Sequence, residues 1–339
     1  MPAERKTISI VIPCYNEAEA FARMREALVS LADSLEPDFN VELVFIDDGS
    51  RDQTWRAISE FARDDARVRG VALSRNFGHQ FALTCGYDLA RGDAVVSMDA
   101  DLQDPPETVR QLIEQWLAGY DVVFAVRRQR AGESWFKLCT ASCFYRLIRA
   151  MGATDVRANV GDFRLMSRAA VDALNRMREQ HRFIRGMVGW VGFRTTEVLY
   201  DRLPRVAGET KYPLRKMVKL AIDAIISFSS VPLRVAYWTG VALMIASFAY
   251  LAYTVVQHWL FGVALVPGWS SLLVAVVAFG TMNLICLGLI GEYIGRIYEQ
   301  SKQRPLYLIR DAIENPNVIA GSGSPGLSRS IKTGASAPG

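Results

Sequence analysis

Charged side chains are missing from one long stretch of this 339-residue chain. No Asp, Glu, Lys or Arg lies between Arg234 and Glu292. A transmembrane helix needs about 20 mainly apolar residues, so the stretch is long enough for two spans joined by a short turn. Pro267-Gly268 would interrupt helix between them. We therefore predict two transmembrane helices, at 235–261 and 270–292.

Cysteine and histidine are also scarce. The cysteines are odd in number and lack the spacing of metal ligands, so they give no indication of structural zinc and fit a reducing compartment. The N-terminus lacks the apolar core of a signal peptide, because its first apolar run, 6–13, is short and strand-like. His258 is the only histidine within the predicted spans, and we expect it at the membrane interface rather than in a proton relay. The cysteines are Cys14, Cys85, Cys139, Cys143 and Cys286.

Basic residues are unevenly distributed, although the net charge is only +4. So small an excess indicates no nucleic-acid partner. Lys and Arg are dense before the first predicted span and return after the second, but are absent between them. By the positive-inside rule, the soluble part and both termini face the cytoplasm, which predicts a multi-pass protein of the inner (plasma) membrane. Anionic lipid or a phosphate-bearing substrate would meet the basic strip beside the membrane.

Three segments outside the spans have their own predictions. Residues 213–234 have the pattern of an amphipathic juxtamembrane helix lying on membrane lipid, and the alternative is a helix packed on the soluble domain. The aromatic stretch 135–148 fits the membrane interface and a packed core equally well. The tail, 295–339, is predicted to be cytoplasmic, and its Gly, Ser and Pro content predicts disorder from about 318.

Apolar runs and amphipathic stretches alternate through residues 1–212, which we take as one soluble domain. This alternation predicts an α/β fold with a Rossmann-like, doubly wound and mainly parallel sheet. The predicted strands are 8–12, 41–46, 68–73, 94–98 and 121–125, and the predicted helices are 17–35, 53–63, 80–90 and 106–117.

Acidic residues follow directly on two of these strands. Asp47-Asp48 ends the second strand, and Asp99-Ala100-Asp101 ends the fourth. Because the carboxyl ends of parallel strands meet at one edge of a sheet, we expect both pairs to share a crevice with Tyr15-Asn16-Glu17 after the first strand. Carboxylate oxygens suit Mg²⁺ or Mn²⁺, and such an ion can hold a diphosphate. An Asp-x-Asp by itself is more often a solvated turn, so its position and its neighbours carry the inference.

The acidic pair at the second strand end has two interpretations. Either Asp47 or Asp48 could accept the N–H groups of a uracil or guanine base, with Tyr15 stacked on the ring. The plainer interpretation is a loop in which Ser50 or Asp52 caps the next helix.

Two further residues near the predicted crevice are open to a structural explanation. Glu17 could bind the nucleotide, or it could be a first-turn acid that complements the dipole of the first helix. His79 follows Gly78 near a helix N-terminus. For His79 we expect packing rather than catalysis.

Four motifs, in this order, give the chain its resemblance to family 2 (GT-A fold) glycosyltransferases. The likeness covers residues 7–300 and is strongest to enzymes that load a sugar onto a polyprenyl phosphate, namely dolichol-phosphate mannose synthases and bactoprenol glucosyltransferases. The motifs are Val11-Ile12-Pro13-Cys14-Tyr15-Asn16-Glu17, Asp47-Asp48-Gly49-Ser50, Met98-Asp99-Ala100-Asp101-Leu102-Gln103-Asp104-Pro105-Pro106 and Gly161-Asp162-Phe163-Arg164-Leu165-Met166.

The resemblance implies a set of site residues. A nucleoside would be held by Pro13, Tyr15, Glu17, Ile46 and Asp48. The diphosphate would lie against Asp99, Ala100, Asp101 and Gln103, with Asp99, Asp101 and Gln103 as metal ligands. Arg127, Arg205 and Lys211 match basic positions that grip phosphates, although Thr210 replaces the usual Ser before that Lys.

Asp162, the two-span hairpin and the segment 182–193 resemble the bactoprenol glucosyltransferase branch. The Gln-x-x-Arg-Trp motif and many spans of cellulose- or chitin-like synthases are absent from this sequence, which argues against processive polymerisation.

The resemblance implies an inverting transfer of a sugar from a nucleotide diphosphate sugar, with UDP-glucose first, to undecaprenyl phosphate. Its catalytic residues would be Asp101, Asp162, Arg205 and Lys211, its cofactor Mg²⁺ or Mn²⁺, and its assembly a homotetramer. A phosphate acceptor is already ionised, so Asp162 would orient substrate; a neutral lipid hydroxyl would instead require Asp162 as a base. The alternatives are a GDP-mannose-dependent synthase, a glycolipid synthase and a membrane-anchored nucleotide-binding scaffold.

Overall fold

The structure is a computed structural model that describes residues 5–128, 160–201, 231–261 and 268–314. The chain divides into two compact units. Among the described residues, one unit contains those before 202 together with 305–314, and the other contains 231–261 and 268–304. The predictions for 135–148, for 213–230, for the tail beyond 318 and for Arg205 and Lys211 concern residues outside the described ranges.

One sheet organises the first unit, and within the described residues it has eight strands in the order β7-β5-β6-β4-β1-β2-β3-β8. β4, β1, β2 and β3 are parallel neighbours, and β5 pairs in parallel with β7. β6 is antiparallel to β4 and β5, and β8 is antiparallel to β3. The predicted mainly parallel, doubly wound sheet is confirmed. The strands are β1 Thr7–Cys14, β2 Asn40–Asp47, β3 Val68–Leu73, β4 Ala94–Ser97, β5 Val122–Arg127, β6 Val160–Ser167, β7 Thr195–Tyr200 and β8 Ile309–Glu314.

Helices cover both faces of this sheet, which is why its central strands are apolar along their whole length. α1, α2 and α4 pack on one face, and α3, α5 and α6 belong to the core of the other. α3 lies so close to β1 that a Cβ on Gly86 would be 2.1 Å from Val11 Cγ1. This packing fixes the N-terminus of α3 at the carboxyl edge of the sheet. The helices are α1 Phe21–Leu35, α2 Thr54–Asp64, α3 His79–Leu89, α4 Thr108–Leu117, α5 Arg168–Arg176 and α6 Ile184–Trp190.

Strand β8 lies in the segment that the sequence suggested was only a tail. Its register pairs Ile313 with Gly70 and Asp311 with Ala72. The buried guanidinium of Arg69 joins it to the sheet, with Nε 2.6 Å from Glu314 Oε1 and Nη1 2.5 Å from Glu42 Oε1. The strand was missed because it pairs with a partner more than two hundred residues earlier, which no local pattern reveals.

The second unit contains the two long helices predicted from the charge-free stretch. They are α7, Val231–Phe261, and α8, Trp269–Ser301, and they contact each other. α7 begins before the predicted start at 235, and α8 continues beyond the predicted end at 292. In the part of the chain that the structure describes, no helix combines the length and the apolar character of a membrane-crossing segment.

Candidate active site

The strand ends predicted to converge do meet at one edge of the sheet. Cys14 and Asp47, the last residues of β1 and β2, are register partners, and the Asp48 N–H donates to Cys14 O over 2.9 Å. On the other side of β1, Val11 pairs with Ser97 at the end of β4. The three loops that follow these strands therefore open onto one crevice.

The loops after β1 and β2 are locked together by side-chain to backbone hydrogen bonds. Asn16 adopts a left-handed φ of 56° and accepts the Arg51 N–H through Oδ1. Asp52 accepts N–H groups from Ala18 and from Thr54, the first residue of α2. Neither predicted cap is at the N-cap position, which Gln53 occupies without a side-chain capping hydrogen bond, although Asp52 lies directly before it. The Ser50 hydroxyl accepts from Asn16 instead.

Asp47 and Asp48, the acidic pair at the end of β2, accept different hydrogen bonds. Asp48 accepts the N–H of Phe77 through Oδ1 and that of Gly78 through Oδ2, which ties the loop after β3 to the crevice. Asp47 Oδ1 accepts the Ser50 N–H, whereas Asp47 Oδ2 is buried and has no hydrogen-bond partner among the described residues. Burial raises the pKa of both carboxyls above the usual value.

The other predicted nucleoside residues lie on the same edge. Pro13 and Ile46 are buried strand residues, and Tyr15 is 42% exposed, so its ring is open to a ligand. Glu17 lies in a turn that precedes α1, since its carbonyl accepts the Ala20 N–H and the helix begins at Phe21. The interpretation of Glu17 as a first-turn acid is therefore wrong.

Beyond β4, the acidic loop brings together the predicted metal ligands. Asp101 Oδ1 accepts the Gln103 N–H over 3.1 Å, and between them Leu102 has a left-handed φ of 52°. Gln103 is 5% exposed, yet its side-chain Oε1 has no partner among the described residues. Ala100 is buried beneath the loop.

The chemistry of these side chains suits a hard cation, because Asp99, Asp101 and the amide oxygen of Gln103 are all oxygen donors. The unpartnered Gln103 oxygen is the observation that favours such an occupant. Across the described ranges, no three His, Cys, Asp or Glu side chains are grouped so that they could hold a metal ion. Two carboxylates and an amide would leave further positions to the oxygens of a bound diphosphate.

A charged cluster surrounds Asp162 on β6. Ser97, the last residue of β4, pairs with Arg164, and His79 Nε2 lies near both Asp99 and Asp162. Asp162 is 5% exposed, and its carboxylate contacts two arginines and a histidine. Their distances to its carboxylate are 2.7 Å from Arg164 Nη2, 2.9 Å from Arg185 Nη2 and 3.3 Å from His79 Nε2.

The pKa values of Asp162 and Asp99 are shifted in opposite directions. Burial opposes ionisation of Asp162, but hydrogen bonds from His79 and Arg185 and the charge of Arg164 hold its pKa well below the usual range. Burial instead raises the pKa of Asp99. The imidazole of His79 also lies 3.7 Å from Asp99 Oδ1. Burial opposes its protonation, yet Asp162 and Asp99 together raise the pKa of His79.

Arg127, a predicted phosphate ligand, lies near Asp162 and contacts Tyr200 and Asp104. Its Nε donates to Tyr200 Oη over 3.0 Å, and Nη2 is 3.7 Å from Asp104 Oδ1. Tyr200 in turn donates to Asp104. Nη2 also lies 3.3 Å from the place of a Cβ on Gly161, the neighbour of Asp162. The guanidinium is therefore fixed beside the crevice and stays one-third exposed.

Sequence reasoning missed three members of the cluster. We expected His79 to pack, but its imidazole contacts two carboxylates and is 41% exposed. Arg185 was seen only as part of the 182–193 segment, and Arg164 only as part of a motif. The signal that could have found them is the pairing of β6 with β4, which the sequence did not reveal.

This chain is similar to known proteins over most of its length. The model of the family "Glycosyl transferase family 2" matches residues 9–174. An uncharacterised glycosyltransferase of Bacillus subtilis is 46% identical, over 91% of this chain and 95% of that protein. This chain belongs to glycosyl transferase family 2.

Further matches extend the likeness beyond the family 2 domain. Residues 231–297 of this glycosyltransferase match the model of the "GtrB C-terminal hairpin". The bactoprenol glucosyl transferase of Shigella phage SfV is 43% identical, over 90% of this chain and 98% of that protein. Glucosyl-3-phosphoglycerate synthase from Mycobacterium tuberculosis, in complex with Mn²⁺, UDP and glucosyl-3-phosphoglycerate, is 20% identical with a TM-score of 0.42, over 65% of this chain and 78% of that chain.

Proposed function

We propose that this glycosyltransferase moves glucose from UDP-glucose to undecaprenyl phosphate, with inversion at the anomeric carbon. Relatives named bactoprenol glucosyl transferase, one of which matches over 98% of its length, support the acceptor and the sugar. A single displacement by an acceptor oxygen inverts the configuration. The product is a polyprenyl-phosphate sugar.

The observation that carries this proposal is the state of Asp162. Two arginines and a histidine hold its carboxylate, and its pKa is far below the usual range. A base so weak removes no proton from a neutral hydroxyl at neutral pH. A phosphate monoester has its second pKa near about 6 and arrives already ionised. Asp162 then orients reacting groups and holds Arg185 and His79 in place, which disfavours a neutral lipid hydroxyl as acceptor.

The donor would occupy the crevice at the carboxyl ends of β1, β2 and β4. Tyr15 offers an exposed ring to the base, and Asp47 offers a buried acceptor oxygen. At the other end, Asp99, Asp101 and Gln103 would hold Mg²⁺ or Mn²⁺ beside the diphosphate. When bound, the ion stabilises the charge that develops on the departing nucleoside diphosphate. Arg127, whose guanidinium lies 3.7 Å from Asp104 Oδ1, would share that charge.

We place the reaction at the cytoplasmic face of the plasma membrane, with α7 and α8 as its membrane hairpin and both termini in the cytoplasm. The hairpin family match and the arrangement of Lys and Arg around the charge-free stretch support this topology. Arg205 and Lys211 belong to that basic region, where they would screen the repulsion between a dianionic acceptor and the acidic crevice. A homotetramer stays a prediction.

One assay tests the proposal. Membranes that contain the full chain are given UDP- and GDP-sugars with either undecaprenyl phosphate or diacylglycerol, and lipid products are scored for lability in mild acid. We expect a labile product from UDP-glucose and undecaprenyl phosphate alone, lost with EDTA and with Asp101→Asn. A product formed from GDP-mannose would show that GDP-mannose, rather than UDP-glucose, is the donor. Transfer only to diacylglycerol would refute undecaprenyl phosphate as the acceptor.

A further inference from the structure

One buried carboxylate oxygen at the carboxyl end of β2 has no hydrogen-bond partner among the described residues. Asp47 is fully buried, and its Oδ1 accepts the Ser50 N–H. Its Oδ2 lacks a hydrogen-bond partner among the described residues. A buried carboxylate oxygen left unpaired is costly, so its persistence points to a partner that arrives with a ligand.

The cation that faces this oxygen comes from the far end of the chain. Arg310 Nη2 lies 3.9 Å from Asp47 Oδ2, too far for a direct hydrogen bond but close enough for charge attraction. The register explains the approach. Asp47 pairs with Ala72 on β3, and Ala72 pairs with Asp311 on β8, so the Arg310 side chain reaches across one strand. It remains about half exposed, at 48%.

β8 is held firmly enough to give Arg310 a fixed place. The Ser74 N–H donates to Leu308 O over 2.8 Å, at the carboxyl end of β3. Tyr307 donates to Asp88 Oδ2 over 2.8 Å, on helix α3. At the opposite end of the strand, Arg69 binds the buried Glu314. Arg310 is thus set beside the crevice by the sheet, and a loose tail would not achieve this.

We propose that β8 completes the donor-nucleotide site and that Arg310 is its positioning residue. The guanidinium, which has donors only, keeps Asp47 charged and aimed so that Oδ2 accepts an N–H from the donor base. Asp47 touches the nucleotide, and Arg310 acts through Asp47. This inference rests on the proposed function, since the ligand is the donor nucleotide. It also makes the segment just after α8 part of the donor site.

Nucleotide binding tests the inference without an acceptor. The full chain in detergent micelles is titrated calorimetrically with UDP and with GDP in the presence of Mg²⁺. We compare wild type with Arg310→Gln, Arg310→Lys and the neighbouring exposed control Asp311→Asn. Arg310→Gln should weaken UDP binding about tenfold, which corresponds to loss of one charge-assisted contact. Arg310→Lys should recover most of the affinity, and Asp311→Asn should leave it unchanged.

A second comparison separates positioning from simple charge. In the Asp47→Asn background, Arg310→Gln should cost no further UDP affinity, because the two residues act as one unit. Unchanged UDP binding by Arg310→Gln, or losses that simply add in the double variant, would overturn the inference and leave the proposed function standing. A wild-type chain that binds neither UDP nor GDP would overturn both.

Discussion

The Asp162 carboxylate is surrounded by more positive charge than one acid needs. Arg164 is fully buried beneath it, while His79 and Arg185 are each 41% exposed towards the crevice. This arrangement favours the ionised form of the acid and presents the partly exposed side chains of His79 and Arg185 to substrate. We therefore regard Asp162 as the anchor of a small cationic surface, where His79 and Arg185 can meet developing negative charge.

The Asp162→Asn variant tests whether Asp162 positions His79 and Arg185 without contributing to nucleotide binding. We expect kcat to fall about tenfold to a hundredfold, because charge-assisted contacts that position His79 and Arg185 are lost. UDP affinity should change by less than about twofold, since the nucleoside contacts lie at β1 and β2. Kinetics with saturating undecaprenyl phosphate and calorimetry with UDP measure the two effects. A variant that loses UDP binding as severely as turnover would place Asp162 in the nucleotide site.

The His79 contact predicts a pH dependence of stability. Its pKa is raised in the folded chain, so the contact stabilises below the unfolded value of about 6.5 and the contribution is lost as pH rises through the higher folded value. The difference in Tm between wild type and His79→Asn should be larger at pH 6 than at pH 9. Thermal unfolding without divalent metal measures it, with His181→Asn as the control. A difference that is constant with pH, or that grows as pH rises, would contradict the contact.

Site residues could be predicted where a reactive side chain directly follows a strand-like run in the sequence. Asp99 and Asp101 follow an apolar run, and the structure puts them at a strand end as expected. Arg185 and His79 were not predictable, because neither belongs to an acidic strand end. They meet Asp162 only through the antiparallel insertion of β6, which depends on pairing across a long stretch of chain.

At the scale of elements, the site depends on loops that press against each other. The loop after β2 touches the loop after β3 so closely that a Cβ on Gly49 would lie 2.4 Å from the backbone carbonyl carbon of Arg75. Gly49 also has a left-handed φ of 67°. These two constraints hold Asp47 and Asp48 where both strands end.

Gly49→Ala should therefore be markedly destabilising. Gly192 is the matched control, because its φ of 76° is similar but an added Cβ would meet only Trp190 O at 3.9 Å. We expect Gly192→Ala to cost about 1–2 kcal/mol from backbone strain alone. Gly49→Ala should cost more and should also weaken UDP binding. Denaturant unfolding measures both variants, and equal losses would show that the contact with the Arg75 loop is unimportant.

Element positions followed from sequence pattern more readily than pairing did. The strand 68–73 was predicted without error, and the other early elements differ by a few residues at their ends. α1 begins four residues later than predicted, since Glu17 and its neighbours form a turn tied to Asp52. β8 was missed altogether, because a short strand after a long helix gains its stability only from a distant edge of the sheet.

At the scale of the whole molecule, the central claim concerns the acceptor. Two arginines and a histidine hold the Asp162 carboxylate in its ionised form, so Asp162 is a poor base, which favours a second substrate that brings its own negative charge. The hairpin and the basic region around it suit an acceptor that lies in a membrane and presents a phosphate at its surface. The environment of Asp162 thus bears on the class of lipid that we propose this enzyme uses.

The most direct measurement compares undecaprenyl phosphate with undecaprenol, which has the same tail and a neutral hydroxyl. Initial rates of glucose transfer from UDP-glucose are measured with the full chain in membranes from pH 5.5 to 8. We predict transfer to the phosphate alone, at a rate that rises with pH as the phosphate loses its second proton near about 6. Comparable transfer to undecaprenol would show that the enzyme supplies a base, and would contradict the account.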